Sequence, residues 1–243
     1  MTYLQFHLVF MLPALALAAA AQRRPIAGIG ARQAFGWLGA VCAIAFVYTT
    51  PWDNYLVYRG VWTYPPGRVL ATIGYVPVEE YAFFLLQPIL AGLVYFALRG
   101  RDITESPPVP MPRVFGTLLV AVPLLFAVIG VLCLLAESDH FLYMGLILTW
   151  ACPVLAGMAK LGADKVWADR ERVGLAVAIP TLYLWIADRT AIANGIWDIV
   201  DPTSLGIDPL GLPIEEATFF LVTNLLCVWA LALFLPSPRN SRA

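Results

Sequence analysis

Pro77-Val78-Glu79-Glu80-Tyr81-Ala82-Phe83-Phe84 recurs 136 positions later as Pro213-Ile214-Glu215-Glu216-Ala217-Thr218-Phe219-Phe220. Both copies read Pro, β-branched residue, Glu, Glu, two spacers, Phe, Phe, and both open a long apolar run. Neighbouring carboxylates at the mouth of a membrane-length helix are expensive, and intramembrane acids are a mark of function. Two copies in one register make this stretch the expected chemical centre, with the rest of the chain as its setting.

The setting is a membrane. Of 243 residues, 60% are hydrophobic and 13% charged, with mean hydropathy +0.77. Soluble domains carry about a quarter charged residues. A net charge of −1 with no basic run excludes a nucleic-acid partner. Cys42, Cys133, Cys152 and Cys227 lie in apolar runs, with no Cys-x-x-Cys pair, and read as small buried hydrophobes.

Stretches of about 20 apolar residues mark spans. Seven are expected, over 3–21, 34–51, 77–98, 114–136, 141–159, 173–194 and 213–235. The fold class is therefore an all-α integral membrane protein. The first span ends in small residues, but Arg23 and Arg24 follow it rather than precede it. That polarity is the reverse of a secretory signal, so the span is expected to be retained.

Segments 22–33, 99–113, 160–172 and 236–243 fall on one side and hold 12 of the 15 basic residues. The positive-inside rule then puts the N-terminus outside and the C-terminus in the cytoplasm. Of the 16 acids, 11 gather at or near the outer ends.

A single membrane domain, 1–243, divides into repeat one (1–100), a linker helix (101–138), repeat two (139–236) and a tail (237–243). Each repeat reads helix, helix, Trp-Asp loop, acidic helix, with Trp52-Asp53 in the first and Trp197-Asp198 in the second. Three-span units placed back to back would be inverted in the membrane. The extra fourth span restores the direction, so the repeats are parallel and both acidic helices start at one face.

Pro77 and Pro213 suit a first helical turn. Glu79, Glu80, Glu215 and Glu216 then meet the positive end of a helix dipole. Repulsion and desolvation favour the protonated form of at least one Glu in each pair, which suits a general acid. Each Glu has a Phe four residues on, one turn deeper: Phe83, Phe84, Phe219 and Phe220. Aromatic faces stabilise a cation without trapping it.

Blander readings stand beside these. A Glu at a helix start is often a solvated cap. Trp52, Trp62 and Trp197 suit an interfacial belt, and Asp53 and Asp198 suit turns. Asp188 next to Arg189 suits an intramembrane ion pair as well as catalysis. His7 and His140 suit packing at span starts. Gly28-Ile29-Gly30 has Gln33 where a third dinucleotide-binding glycine belongs and follows no strand. No P-loop and no His-Glu-x-x-His zinc motif appears, so neither cofactor nor metal is expected.

The two Pro-x-Glu-Glu-x-x-Phe-Phe helices, the Pro51-Trp52-Asp53-Asn54 turn and the Gly195-Ile196-Trp197-Asp198 turn resemble the fused form of the heterodimeric-type carotenoid (lycopene) cyclases. The resemblance covers nearly the whole chain, one half matching each of the two small subunits found separately in actinobacteria. It implies β-cyclisation of the ψ-ends of lycopene, without net redox change, to γ-carotene, β-carotene or both. Members of the family lack the flavin domain of other lycopene cyclases. On this reading one Glu of 79/80 and one of 215/216 transfer protons. Asp53 and Asp198 orient or recharge them, and Trp52, Trp197 and the four Phe residues wall the substrate. The expected partners are lycopene, membrane lipid and neighbouring carotenoid enzymes.

Two rival classes remain at this point. Asn194-x-x-x-Asp198-x-x-Asp201 loosely matches a membrane prenyltransferase's Mg²⁺-diphosphate motif, with the wrong spacing. A small proton-coupled transporter would use paired acids as a relay, but a relay should cross the midplane, and these acids gather at one face.

Overall fold

The computed structural model describes residues 1–100 and 110–236. Among these, seven helices are long and apolar enough to cross a membrane. They are α1 (Tyr3–Ala20), α2 (Ala31–Tyr58), α3 (Val78–Arg99), α4 (Arg113–Leu135), α5 (Asp139–Ala168), α6 (Arg170–Ala193) and α7 (Ile214–Phe234). The start of the expected linker, with Arg101, and the tail 237–243, with Arg239 and Arg242, lie outside the described residues.

The spans fall where hydropathy placed them, with differences at their ends. Helix α2 runs through Pro51 to Tyr58, so Pro51-Trp52-Asp53-Asn54 is helix and not a turn. Proline is tolerated in membrane helices when side chains satisfy the freed backbone groups. Around this proline, which leaves the Val47 carbonyl without its backbone donor, Thr50 donates to the Phe46 carbonyl (2.6 Å) and Asn54 to the Thr50 carbonyl (2.9 Å), bracing the neighbouring turns. Segment 160–172, expected to be a loop, is helical on both sides of Asp169. Pro77 and Pro213 stand one residue before their helices, as N-caps with extended backbone, and put each Glu pair in the first turn.

Helices α3 and α7 carry the acids and are the most buried spans, while α4 is the least buried and packs along α5. Small residues allow that close approach. A Cβ on Gly130 would lie 2.8 Å from Leu148 Cβ, and one on Gly145 would lie 2.8 Å from Leu134 Cδ2. On α3, Gly92 fits between α2 and α7, where a Cβ would meet Leu38 at 2.5 Å and Leu231 at 3.2 Å.

At the acidic end the loops 59–77 and 194–213 form a cap with four two-residue strands. Strand β1 (Trp62–Thr63) pairs antiparallel with β4 (Asp198–Ile199), joining the α2–α3 loop to the α6–α7 loop. Strands β2 (Thr72–Ile73) and β3 (Val76–Pro77) make a hairpin turned at Gly74, φ +65°.

Candidate active site

The first turns of α3 and α7 split each Glu pair by direction. Glu79 Oε1 accepts the Leu70 N–H at 2.9 Å, and Glu215 Oε1 accepts the Leu205 N–H at 2.6 Å. These two carboxyls turn back and hold their own loops. Glu80 and Glu216 point inward. Glu80 Oε2 accepts from the hydroxyls of Tyr3 (2.5 Å) and Tyr64 (3.3 Å). Glu216 Oε1 accepts from the Tyr143 hydroxyl (2.6 Å) and the Trp62 indole N–H (3.1 Å). The split follows from helix geometry, since successive residues point about 100° apart.

Two further carboxyls join them. Asp53 is fully buried on α2, and neither of its oxygens has a hydrogen-bond partner among the described residues. Asp188 is buried on α6, where Oδ1 accepts the Trp197 indole N–H at 3.0 Å and Oδ2 has no partner. Both lie within electrostatic reach of Glu80 and Glu216. The ion pairs among the described residues, Arg59–Asp139, Arg99–Asp169 and Arg172–Asp169, engage none of the four carboxyls. Arg189 therefore does not neutralise Asp188, although the sequence places it next door. A buried polar atom left without a partner costs about 1–3 kcal/mol, more for a charge. Four buried carboxyls in no ion pair among the described residues cannot all be ionised in a dry place, so protons stay among them.

Asp198 is where expectation and structure part. It is exposed on β4, opposite Thr63, and does not join the cluster. Its expected role rested on the match between Trp52-Asp53 and Trp197-Asp198, but the first pair is in a helix and the second in a loop. The better match runs at a spacing of 135: Asp53 with Asp188, Trp62 with Trp197, and Leu70 with Leu205. Tyr3 and Tyr143, the two closest phenol donors, stand 140 apart near the start of α1 and α5. The missed residues carried a signal, a tyrosine at the mouth of the first span in each half.

The chamber around these groups holds about 30 Å³ and is lined by Tyr3, Trp62, Tyr64, Glu80, Asp188, Glu216 and a set of rings. The Tyr64 hydroxyl comes from the cap. Burial and then the adjacent Glu80 carboxyl hold that phenol well above its ordinary range, so it stays a donor. Phe83 meets Phe220 edge-on at 6.1 Å, and Phe219 meets Phe220 at 5.4 Å. Trp52 lies parallel to Phe219 at 5.7 Å and donates to the Leu146 carbonyl, while Trp197 packs on Tyr3 at 4.8 Å. The sequence placed Trp52 and Trp197 in an interfacial belt or on the substrate, and Trp62 in the belt. The structure puts Trp62 and Trp197 on carboxyls and Trp52 behind Phe219. Phe84 is buried against an apolar cleft below the chamber. His7 is buried, with Nε2 2.9 Å from the Glu79 carbonyl oxygen and its ring stacked toward Phe83. His140 Nδ1 lies 3.2 Å from the Ser204 carbonyl oxygen, away from the cluster.

No protein-family model matches the chain, and no solved structure matches it. Among curated proteins, it is 38% identical over 224 residues to a lycopene beta-cyclase of Halobacterium salinarum, covering 86% of this chain and 90% of the relative. A bifunctional lycopene cyclase/phytoene synthase of Gibberella fujikuroi is 35% identical, covering 94% of this chain and 39% of the relative. One of Phycomyces blakesleeanus is 36% identical, covering 95% of this chain and 38% of the relative.

Proposed function

The chain belongs to the lycopene beta-cyclase family, and from that premise we propose that it closes β-ionone rings on the ψ-ends of lycopene by proton transfer, yielding γ-carotene and β-carotene. The observation that carries this reading is the set of four buried carboxyls, in no ion pair among the described residues, three of which, Glu80, Asp188 and Glu216, line a chamber walled by aromatic rings.

A carboxylic O–H adds its proton to the terminal C=C of the ψ-end, leaving a tertiary cation. The neighbouring double bond attacks that cation and forms the C–C bond that closes a six-membered ring. A carboxylate removes a ring proton as the new C=C forms. Atoms and electrons balance, since the product is an isomer of the substrate and the proton is returned. Glu80 and Glu216 carry out these transfers. Tyr3 and Tyr64 occupy one oxygen of Glu80, and Tyr143 and Trp62 one oxygen of Glu216. The other oxygen of each is left for the substrate. Asp53 and Asp188, within electrostatic reach of both, restore protons between turnovers. Phe83, Phe219 and Phe220 supply faces for the developing cation, and exclusion of water keeps it from being quenched.

The repeat organisation belongs to this reading. The matched pairs Tyr3/Tyr143, Asp53/Asp188, Trp62/Trp197 and Glu80/Glu216 support parallel repeats 1–100 and 139–236 about a linker helix. Charge asymmetry supports an outer N-terminus and a cytoplasmic C-terminus. Expression in a lycopene-accumulating bacterium tests the function. Red lycopene should turn to yellow-orange cyclic product, resolved by chromatography. Unchanged lycopene, with the protein present in the membrane, would refute it.

A further inference from the structure

Below the aromatic layer lies a second space, an apolar cleft of about 120 Å³ between α2 and α5, backed by α3 and α7. Its walls include Val41, Ala45, Tyr48, Val154 and Met158, and it reaches the membrane surface of the bundle at Ile44, which is 57% exposed. Phe83 and Phe219 line both the cleft and the carboxylate chamber, so two rings are all that separate an apolar slot from the acids. At the upper edge of the cleft, Tyr48 donates to the Trp150 carbonyl at 2.8 Å and stacks on its ring at 5.2 Å, joining α2 to α5.

The other half has a matching latch. Tyr183 donates to the Phe10 carbonyl at 2.7 Å, between α6 and α1. The packing behind the two latches differs. Helix α6 lies against α3 more extensively than α2 lies against α7. Leu184, at the position matching Thr49, is fully buried. A second apolar cleft, of about 400 Å³, does lie beside α6, lined by Val177, Trp185, Leu225 and Trp229, but it shares no lining residue with the carboxylate chamber, whereas the cleft beside α2 shares Phe83 and Phe219 with it.

We infer that the cleft between α2 and α5 is the lateral passage by which one end of the linear polyene leaves the bilayer and reaches the carboxyls, with Phe83 and Phe219 as its inner gate. The inference rests on the cyclase reading for the identity of the occupant. The chamber alone, at about 30 Å³, has room for little more than a water molecule. An end group therefore has to span the chamber and the cleft, displacing the two rings between them. An apolar slot open to lipid on one side and to acids on the other matches a substrate that is hydrocarbon throughout.

The test compares Val154→Phe and Ala45→Phe, which fill the cleft from opposite walls, with Ala14→Phe, the position on α1 that matches Val154. Each protein is purified into lipid nanodiscs charged with lycopene. Lycopene retained after washing is read by absorbance, and cyclic product by chromatography, both per mole of protein. The cleft-filling variants should retain less lycopene and cyclise it about tenfold or more slowly, as misplaced substrates do. Ala14→Phe should match the parent in both. If both cleft variants, folded and present at parental level, bind and cyclise like the parent, or if Ala14→Phe falls as far as they do, the passage is wrong. If the parent retains lycopene without cyclising it while the cleft variants fail to retain it, the passage stands and the cyclase reading falls.

Discussion

At the scale of single residues, the doubled Glu pair resolves into two jobs. Glu79 and Glu215 each hold a loop N–H, while Glu80 and Glu216 meet phenols and an indole inside the bundle. Replacing Glu80 or Glu216 by Gln keeps the shape and removes the transferable proton. Each change should slow lycopene cyclisation by about 10²–10⁴-fold, measured as product per membrane-bound protein. Normal rates in both variants would remove these residues from the proton path. Asp188 and Asp198, both in the second half, separate just as sharply. Asp188→Asn should impair turnover, whereas Asp198→Asn, on an exposed strand, should leave it near normal. Phe83→Leu should be milder than either Glu change, since cation–π support is about 2 kcal/mol in a desolvated site.

Helices and loops were legible to different degrees. Seven spans could be read from apolar run length, because in a bilayer only helices satisfy the backbone. The ends could not. Pro51-Trp52-Asp53-Asn54 carries every mark of a turn in water, yet α2 continues through it, with Thr50 and Asn54 bracing the turns around the proline. That reading paired Asp53 with Asp198 and left Asp188 between an ion pair and catalysis. The acids at the mouths of α3 and α7 were visible because the chain repeats them. Their donors were not, because Tyr3, the pair Trp62 and Tyr64, and Tyr143 come from three different segments that meet only in the fold. The close approach of α4 and α5 makes a prediction at this scale. Gly130→Leu would drive a side chain into Leu148 and Thr149 and should destabilise the protein by about 1–3 kcal/mol. Thermal unfolding in detergent would register it, and an unchanged midpoint would mean that the two helices do not need that contact.

Across the whole molecule, the proposed cyclisation and the proposed passage between α2 and α5 together predict an order of products. Both ends of a linear polyene have to be presented in turn, so a monocyclic product should build up before the bicyclic one in a time course with excess lycopene. Bicyclic product with no monocyclic pool at any time would contradict this. The hydrogen bond from Trp62 to Glu216 has another consequence. Trp62 belongs to the α2–α3 loop of the first half and Glu216 to the last helix of the second. Neither half owns a complete site. Cut between α4 and α5 and made as two polypeptides, the halves should each be inert alone. Produced together, they should recover activity as they find each other in the membrane, which makes the enzyme a marriage of two partners that happen to share one chain.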